Sequence, residues 1–130
     1  LTLLPVFYAH ATFGGVPPNA GQQRFIHGID AFNSLLDRVV GWAGSSMLRR
    51  VGIAPHSLRA VTPAELAAIV SHLETHDAHA PIHIHAAEQL KEVNDCIAWS
   101  HKRPVAWLLD ARVAGAWQAV VQGRPFEPAP

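Results

Sequence analysis

Three times in succession a short apolar run gives way to a stretch with one apolar helical face, and no other feature constrains the fold as much. Residues 1–9 are apolar and aromatic and short enough for a buried strand. From Asp30, read as an N-cap, Ala31, Phe32, Leu35, Leu36, Val39, Val40 and Ala43 recur on one helical face until Gly44 and Ser45 end it. Residues 51–54 form a second, shorter strand. Thr62-Pro63-Ala64-Glu65 then spells a capping box with Pro at the first helical position, and Leu66, Ile69, Val70 and Leu73 supply the buried stripe. Residues 81–86 make a third strand, followed by a helix over 88–99 with Leu90, Val93 and Ile97 on one side. Arg103-Pro104 breaks the chain before a short helix over 105–110. Trp42, Trp99, Trp107 and Trp117 read as helix-packing groups.

Strand–helix alternation of this kind implies an α/β fold with a parallel sheet and right-handed crossovers. Parallel strands are usually covered on both faces, which suits the near-continuous apolar runs. Two architectures fit: a three-stranded open sheet, or three consecutive units of a (β/α)8 barrel, which normally takes ~250 residues. Residues 1–115 are assigned to this unit. Residues 116–130, rich in proline, are read as a divergent, extended tail.

Composition narrows the function. Half the 130 residues are apolar, which excludes a disordered chain, and ten basic residues balance ten acidic ones without a basic patch, which argues against nucleic-acid binding. No apolar run approaches the ~20 residues of a membrane span. Cys96 is the only cysteine, so no internal disulfide can form and a reducing cytoplasm is the default compartment; the thiol itself reads as a small buried apolar group. The amino end lacks an initiator Met and resembles a strand already under way, so the expectation is a chain cut from something longer.

The chemistry concentrates in Pro81-Ile82-His83-Ile84-His85-Ala86-Ala87-Glu88. Side chains alternate along a strand, so His83 and His85 share one face while Ile82 and Ile84 share the other. His85 is nearer the carboxyl end, where parallel α/β folds build their sites, and Glu88 lies just beyond. A neutral imidazole at His85 suits Zn²⁺ or Fe²⁺, with Glu88 placed to carry protons for an attacking water. The plain alternative is a hydrogen-bonded core histidine. His56, Ser57 and Arg59 sit after the second strand, and Arg59 offers a planar fork that matches a carboxylate. On spacing alone, a solvated loop is the simpler reading of these residues. Tyr8, His10 and Gly14-Gly15, in and beside the long loop over 10–28, fit either a pocket lining or ordinary turn chemistry, the latter being the simpler reading, and His72, His76 and His79 read as incidental members of a polar stretch.

Taken together, TLLPVFYAHATFGG, APHSLRAVTPAEL and PIHIHAAEQLKEVNDCIAWSHKRPVAWLLD resemble the middle of the formimidoylglutamate deiminases, a family within the amidohydrolase superfamily. The resemblance spans roughly residues 3–110. His85-Ala86-Ala87-Glu88 matches the H-x-A-E form of many superfamily deaminases, and the HSLRAV loop points to this member. The resemblance implies a (β/α)8 metal-dependent hydrolase that converts N-formimidoyl-L-glutamate to N-formyl-L-glutamate and ammonia in histidine breakdown, with one zinc. It implies His85 as metal ligand, Glu88 as proton shuttle, and His56 and Arg59 as substrate contacts, in a cytoplasmic enzyme with a homodimer as the assembly to test. The family's first-strand H-x-H pair, a further metal-site histidine and a late-strand aspartate are absent here, and residues beyond 115 leave the pattern. One protein ligand falls short of the usual three, so the isolated chain is expected to bind zinc weakly and to be inactive. The other readings are a deaminase of a nucleobase or another amidine, and an inert α/β fragment.

Overall fold

The computed structural model describes residues 1–111. Its framework is three parallel extended segments with the second in the middle. β1 (Thr2–Leu3) pairs with β3 (Arg50–Val51), and β2 (Val6–Phe7) pairs with β4 (Ala54–Pro55). Each of the first two expected strands is therefore present but cut into two short ladders. Pro5 has no N–H to donate between β1 and β2, and Gly52 separates β3 from β4.

The third segment, expected as a full strand over 81–86, forms no continuous ladder. It joins the central segment at two parallel bridges, Ile53 with Ile82 and Ser57 with His85. The bonds that hold it run from the Ile53 N–H to the Pro81 carbonyl (3.1 Å), from the His83 N–H to Ile53 (3.0 Å) and from the His85 N–H to His56 (3.1 Å).

Burial alternates with the period of two that a strand imposes from Val6 to His10, from Ile53 to Ser57 and from Ile82 to Ala86. Phe7, Ala9, Val51, Ile53, Pro55, Ser57, Ile82, Ile84 and Ala86 are buried, while Val6, Tyr8, His10, Ala54, His56, His83 and His85 are not. The buried face packs under α1 (Ile29–Ala43) and α2 (Pro63–His76), through Phe32, Leu36, Leu66, Ile69, Val70 and Leu73. Phe7 meets Phe32 edge to face, with ring centroids 5.2 Å apart. Among the described residues only this face is covered. The expectation of cover on both faces is corrected, and the open face is the one that carries the polar side chains.

The helices follow their local signals, with corrections at the ends. α1 begins two residues earlier than expected: Gly28 is the N-cap, and Asp30 lies in the first turn, where its charge complements the helix dipole. α2 has the complete capping box, with the Thr62 hydroxyl accepting from the Glu65 N–H and the Glu65 carboxylate accepting from the Thr62 N–H. α3 (Leu90–Ser100) starts after Glu88, because Ala87 takes a left-handed φ of 59° and turns the chain there. Its buried face is also not the expected one. Leu90 is 76% exposed and Ile97 39%, while Glu92 and Cys96 point inward. Ala87 is exposed. α4 (Pro104–Asp110) places Pro104 at its first position.

Of the tryptophans, Trp99 and Trp107 pack against the core, whereas Trp42 is exposed under the Arg49 guanidinium. Trp117 and the tail over 116–130 lie outside the described residues. No described helix is long and apolar enough to cross a membrane.

Candidate active site

The carboxyl ends of the three extended segments deliver Tyr8, His56 and His85 side by side. The Tyr8 and His56 rings lie 4.8 Å apart between centroids, and the His56 and His85 rings 5.2 Å, both edge to face. This row follows from parallel register: residues just past β2, past β4 and at the end of the third segment must emerge at the same rim. A pocket of about 200 Å³ opens on the uncovered face, lined by Val6, Ala54, Pro55, Ile84 and the imidazoles of His56, His83 and His85.

His85 is oriented by the strand beside it. Its Nδ1 lies 3.0 Å from the His56 carbonyl oxygen, so Nδ1 carries the proton and donates it there, and Nε2 keeps its lone pair. An imidazole anchored through one ring nitrogen to a backbone carbonyl is the usual preparation of a metal-binding histidine. The chemistry of this donor fits a divalent ion. A second and third ligand do not converge on it: among the described residues, the one set of three His, Cys, Asp or Glu within ligating distance lies elsewhere, at Asp37, His72 and His76.

His56 is half-buried. Burial is the largest influence on its pKa and lowers it; the neighbouring His85 and Arg59 lower it further, against a smaller opposing effect of Glu88. It is neutral at neutral pH, with Nδ1 3.2 Å from the Ser57 hydroxyl.

Glu88 meets Arg59 directly, Nη2 to Oε2 at 3.2 Å. Arg59 spans from the loop after β4 to the turn before α3, and its Nε is buried with no hydrogen-bond partner among the described residues. The turn itself is held by a residue that sequence reasoning passed over. Glu92, 2% exposed, reaches back from α3, and its carboxylate accepts the N–H of Ala87 at 3.2 Å and of Glu88 at 2.9 Å. The signal was available: glutamate three residues into a helix commonly bonds to free N–H groups at the entry. It was hidden by reading the helix start at Glu88.

His56, Arg59, His85 and Glu88 are thus brought to one rim. Arg59 and Glu88 stand beside the 200 Å³ pocket and not in its lining. His10 faces away from this group and bonds the Glu65 carboxylate at 2.8 and 2.9 Å. Gly14 and Gly15, with φ of 80° and 78°, make the turn expected of them. Tyr8, read as turn chemistry, instead belongs to the site row and accepts a hydrogen bond from Gln22 at 2.8 Å. Cys96 is buried as expected, and burial pushes its thiol pKa up.

Residues 10–116 match the model of the amidohydrolase family. The chain belongs to the amidohydrolase family. An amidohydrolase crystal structure from Brucella melitensis is 53% identical and superposes with a TM-score of 0.78 over 85% of this chain and 24% of that one. Formimidoylglutamate deiminase of Pseudomonas aeruginosa is 50% identical over 85% of this chain and 23% of its own length. A zinc-bound adenosine deaminase from Xanthomonas campestris, at 21% identity, shares the fold alone, with a TM-score of 0.64 over 83% of this chain and 22% of that one. The chain therefore spans about a quarter of the amidohydrolases it matches, and three parallel strand–helix units are the part of the barrel it carries.

Proposed function

We propose that this amidohydrolase segment contributes part of the active site of a metal-dependent hydrolase that converts N-formimidoyl-L-glutamate and water to N-formyl-L-glutamate and ammonia. The observation that carries the proposal is the prepared tautomer of His85 at the rim it shares with Glu88 and Arg59. The 50% identity to a formimidoylglutamate deiminase supports the substrate. His85 Nε2 would hold the metal, zinc in the first instance and iron(II) as the alternative. Such an ion supplies Lewis acidity and lowers the pKa of a bound water.

Glu88 takes a proton from the attacking water and delivers it to the imino nitrogen; it then passes the hydroxyl proton of the tetrahedral adduct to the same nitrogen as the C–N bond breaks, so that both water protons leave with ammonia. Glu92 sets the backbone from which Glu88 projects. Arg59 has donors beyond the one engaged by Glu88, and its fork suits the glutamate carboxylate. His56, being neutral, offers a donor or acceptor to the substrate without competing for the metal's charge. Cytoplasmic location and a small-molecule partner follow from this reading, as does the homodimer as the assembly to test. A nucleobase deaminase is disfavoured because a guanidinium at this rim has no counterpart on a neutral base.

The test is steady-state kinetics on the complete polypeptide carrying this segment. Glu88→Gln and His85→Ala are expected to lower kcat by at least about 10²-fold, the lower bound for a lost proton-transfer group. Arg59→Ala is expected to raise KM for formimidoylglutamate. Retention of full activity by Glu88→Gln, or turnover of guanine in place of formimidoylglutamate, would refute it.

A further inference from the structure

Away from the strand rim, on the outer surface where α1 and α2 run together, His72 Nε2 and His76 Nε2 converge on one oxygen of Asp37, at 2.7 and 2.8 Å. We propose that Asp37, His72 and His76 form a binding site for a divalent late first-row metal ion, such as Zn²⁺, Ni²⁺ or Cu²⁺, which clips α1 to α2.

The sequence spacing and the packing both lead there. His72 and His76 stand four residues apart, hence one above the other on the same face of α2. Their rings lie 5.4 Å apart between centroids. Asp37 follows the buried Leu36 on α1, and Leu73, between the two histidines, is buried in the same core. The seam that packs Leu36 and Leu73 therefore sets the distance between carboxylate and imidazoles, and the site is held by two helices and not by a loop. The three ligand atoms lie within 4.8 Å of one another.

The donor set selects the ion. Two imidazoles and one carboxylate suit zinc, nickel and copper, and suit calcium and magnesium poorly. Tetrahedral zinc bonds of ~2.0–2.1 Å put ligand atoms roughly 3.3 Å apart. The imidazole-to-carboxylate separations need open by only about half an ångström, within side-chain freedom at a surface where the Asp37 side chain is 50% exposed and the two histidines 28% and 30%. Three protein ligands leave at least one coordination position for water, and the site lies on the α1–α2 surface away from the strand rim. The inference does not depend on the substrate proposed above.

The experiment uses the full chain stripped with a chelator and titrated with Zn²⁺, Ni²⁺ and Mg²⁺, read by calorimetry and by Tm, with Co²⁺ absorption reporting coordination. His85→Ala serves as a control that removes the rim ligand, and circular dichroism checks that each variant keeps its helices. The expected result is one equivalent of Zn²⁺ or Ni²⁺ bound in the wild-type chain and in His85→Ala, with a rise in Tm and no response to Mg²⁺. Asp37→Asn, His72→Ala and His76→Gln should each weaken binding by about tenfold or more, the range seen when a metal site loses a supporting group. Absence of binding in the wild-type chain, loss of it in His85→Ala alone, or superimposable titrations of the wild-type and His72→Ala chains would overturn the proposal.

Discussion

Arg59 and Glu88 form a partly exposed ion pair, and such pairs contribute only about 0–1 kcal/mol. Their contact orients the site more than it stabilises it. Glu92 is different in kind. Its buried carboxylate is the acceptor for two backbone N–H groups, on Ala87 and Glu88, and Ala87 holds a left-handed φ that costs an L-residue roughly 1–2 kcal/mol. The turn persists because Glu92 fastens it. Glu92→Gln puts an amide NH₂ where one of the two donors needs an acceptor, and should cost about 1–3 kcal/mol of stability. Urea unfolding measures this. In the complete enzyme the same change should lower kcat with little movement of KM, since Glu92 acts through Glu88. An unchanged unfolding midpoint would remove Glu92 from this role. At this scale strand alternation put His83 and His85 on one face with His85 towards the carboxyl end, which can be read from one dimension; the roles expected of His85, Glu88, His56 and Arg59 came from the family resemblance, and spacing alone favoured a solvated loop for His56 and Arg59. Glu92 and Asp37 were not legible in the sequence, because their partners are chosen by how a helix is rotated.

At the scale of elements, the N-terminus of α2 is a junction. Glu65 closes the capping box on Thr62 and also takes the His10 imidazole from the long first loop, so one carboxylate ties two segments together. Burial by itself would raise the Glu65 pKa. The Thr62 N–H, His10 and the Thr62 hydroxyl outweigh it, and the net shift is downward. The sign follows from linkage: a carboxyl whose folded pKa lies below its unfolded value contributes stability that is complete above the unfolded value, about 4.3, and disappears as pH falls through the folded one. Stability measured between pH 6 and the acid limb should therefore drop in the wild-type chain. Glu65→Gln should flatten that drop while costing about 1 kcal/mol near neutrality, comparable to a lost cap. Parallel acid curves for the two proteins would contradict the assignment. The box was legible because it is a local pattern. The orientation of α3 was not: its apolar residues Leu90 and Ile97 face outward, and its inward face takes Glu92 and Cys96 because the entry turn claims the glutamate.

For the whole molecule, the close crossing at Gly52 matters most. A Cβ there would stand 2.0 Å from the Pro81 carbonyl oxygen and 2.8 Å from Leu4 Cδ2. The first, second and third extended segments come together at this point, and a backbone carbonyl cannot swing aside as a side-chain tip can. Gly52→Ala should destabilise by at least the ~1–3 kcal/mol of ordinary overpacking. Hydrogen exchange at the amides of Ile53, His83 and His85 should report loosening of the third segment. Wild-type protection at these amides would show that the crossing tolerates a methyl group. Loss of this segment would separate His85 from the His56 carbonyl, so the tautomer that suits His85 to a metal depends on a glycine thirty-three positions earlier in the chain.

The order of strands and helices, the capping box on α2 and the shared face of His83 and His85 were determined by the sequence alone. All of these depend on periods of two or 3.6 residues, or on contacts between near neighbours. Tertiary structure alone decided which sheet face α1 and α2 cover, that three strands pair in short pieces, that Tyr8 joins the histidine row, and that Asp37 meets His72 and His76. Those outcomes depend on the angles and distances between elements, which are set by packing the core and have no counterpart in the local pattern of residues.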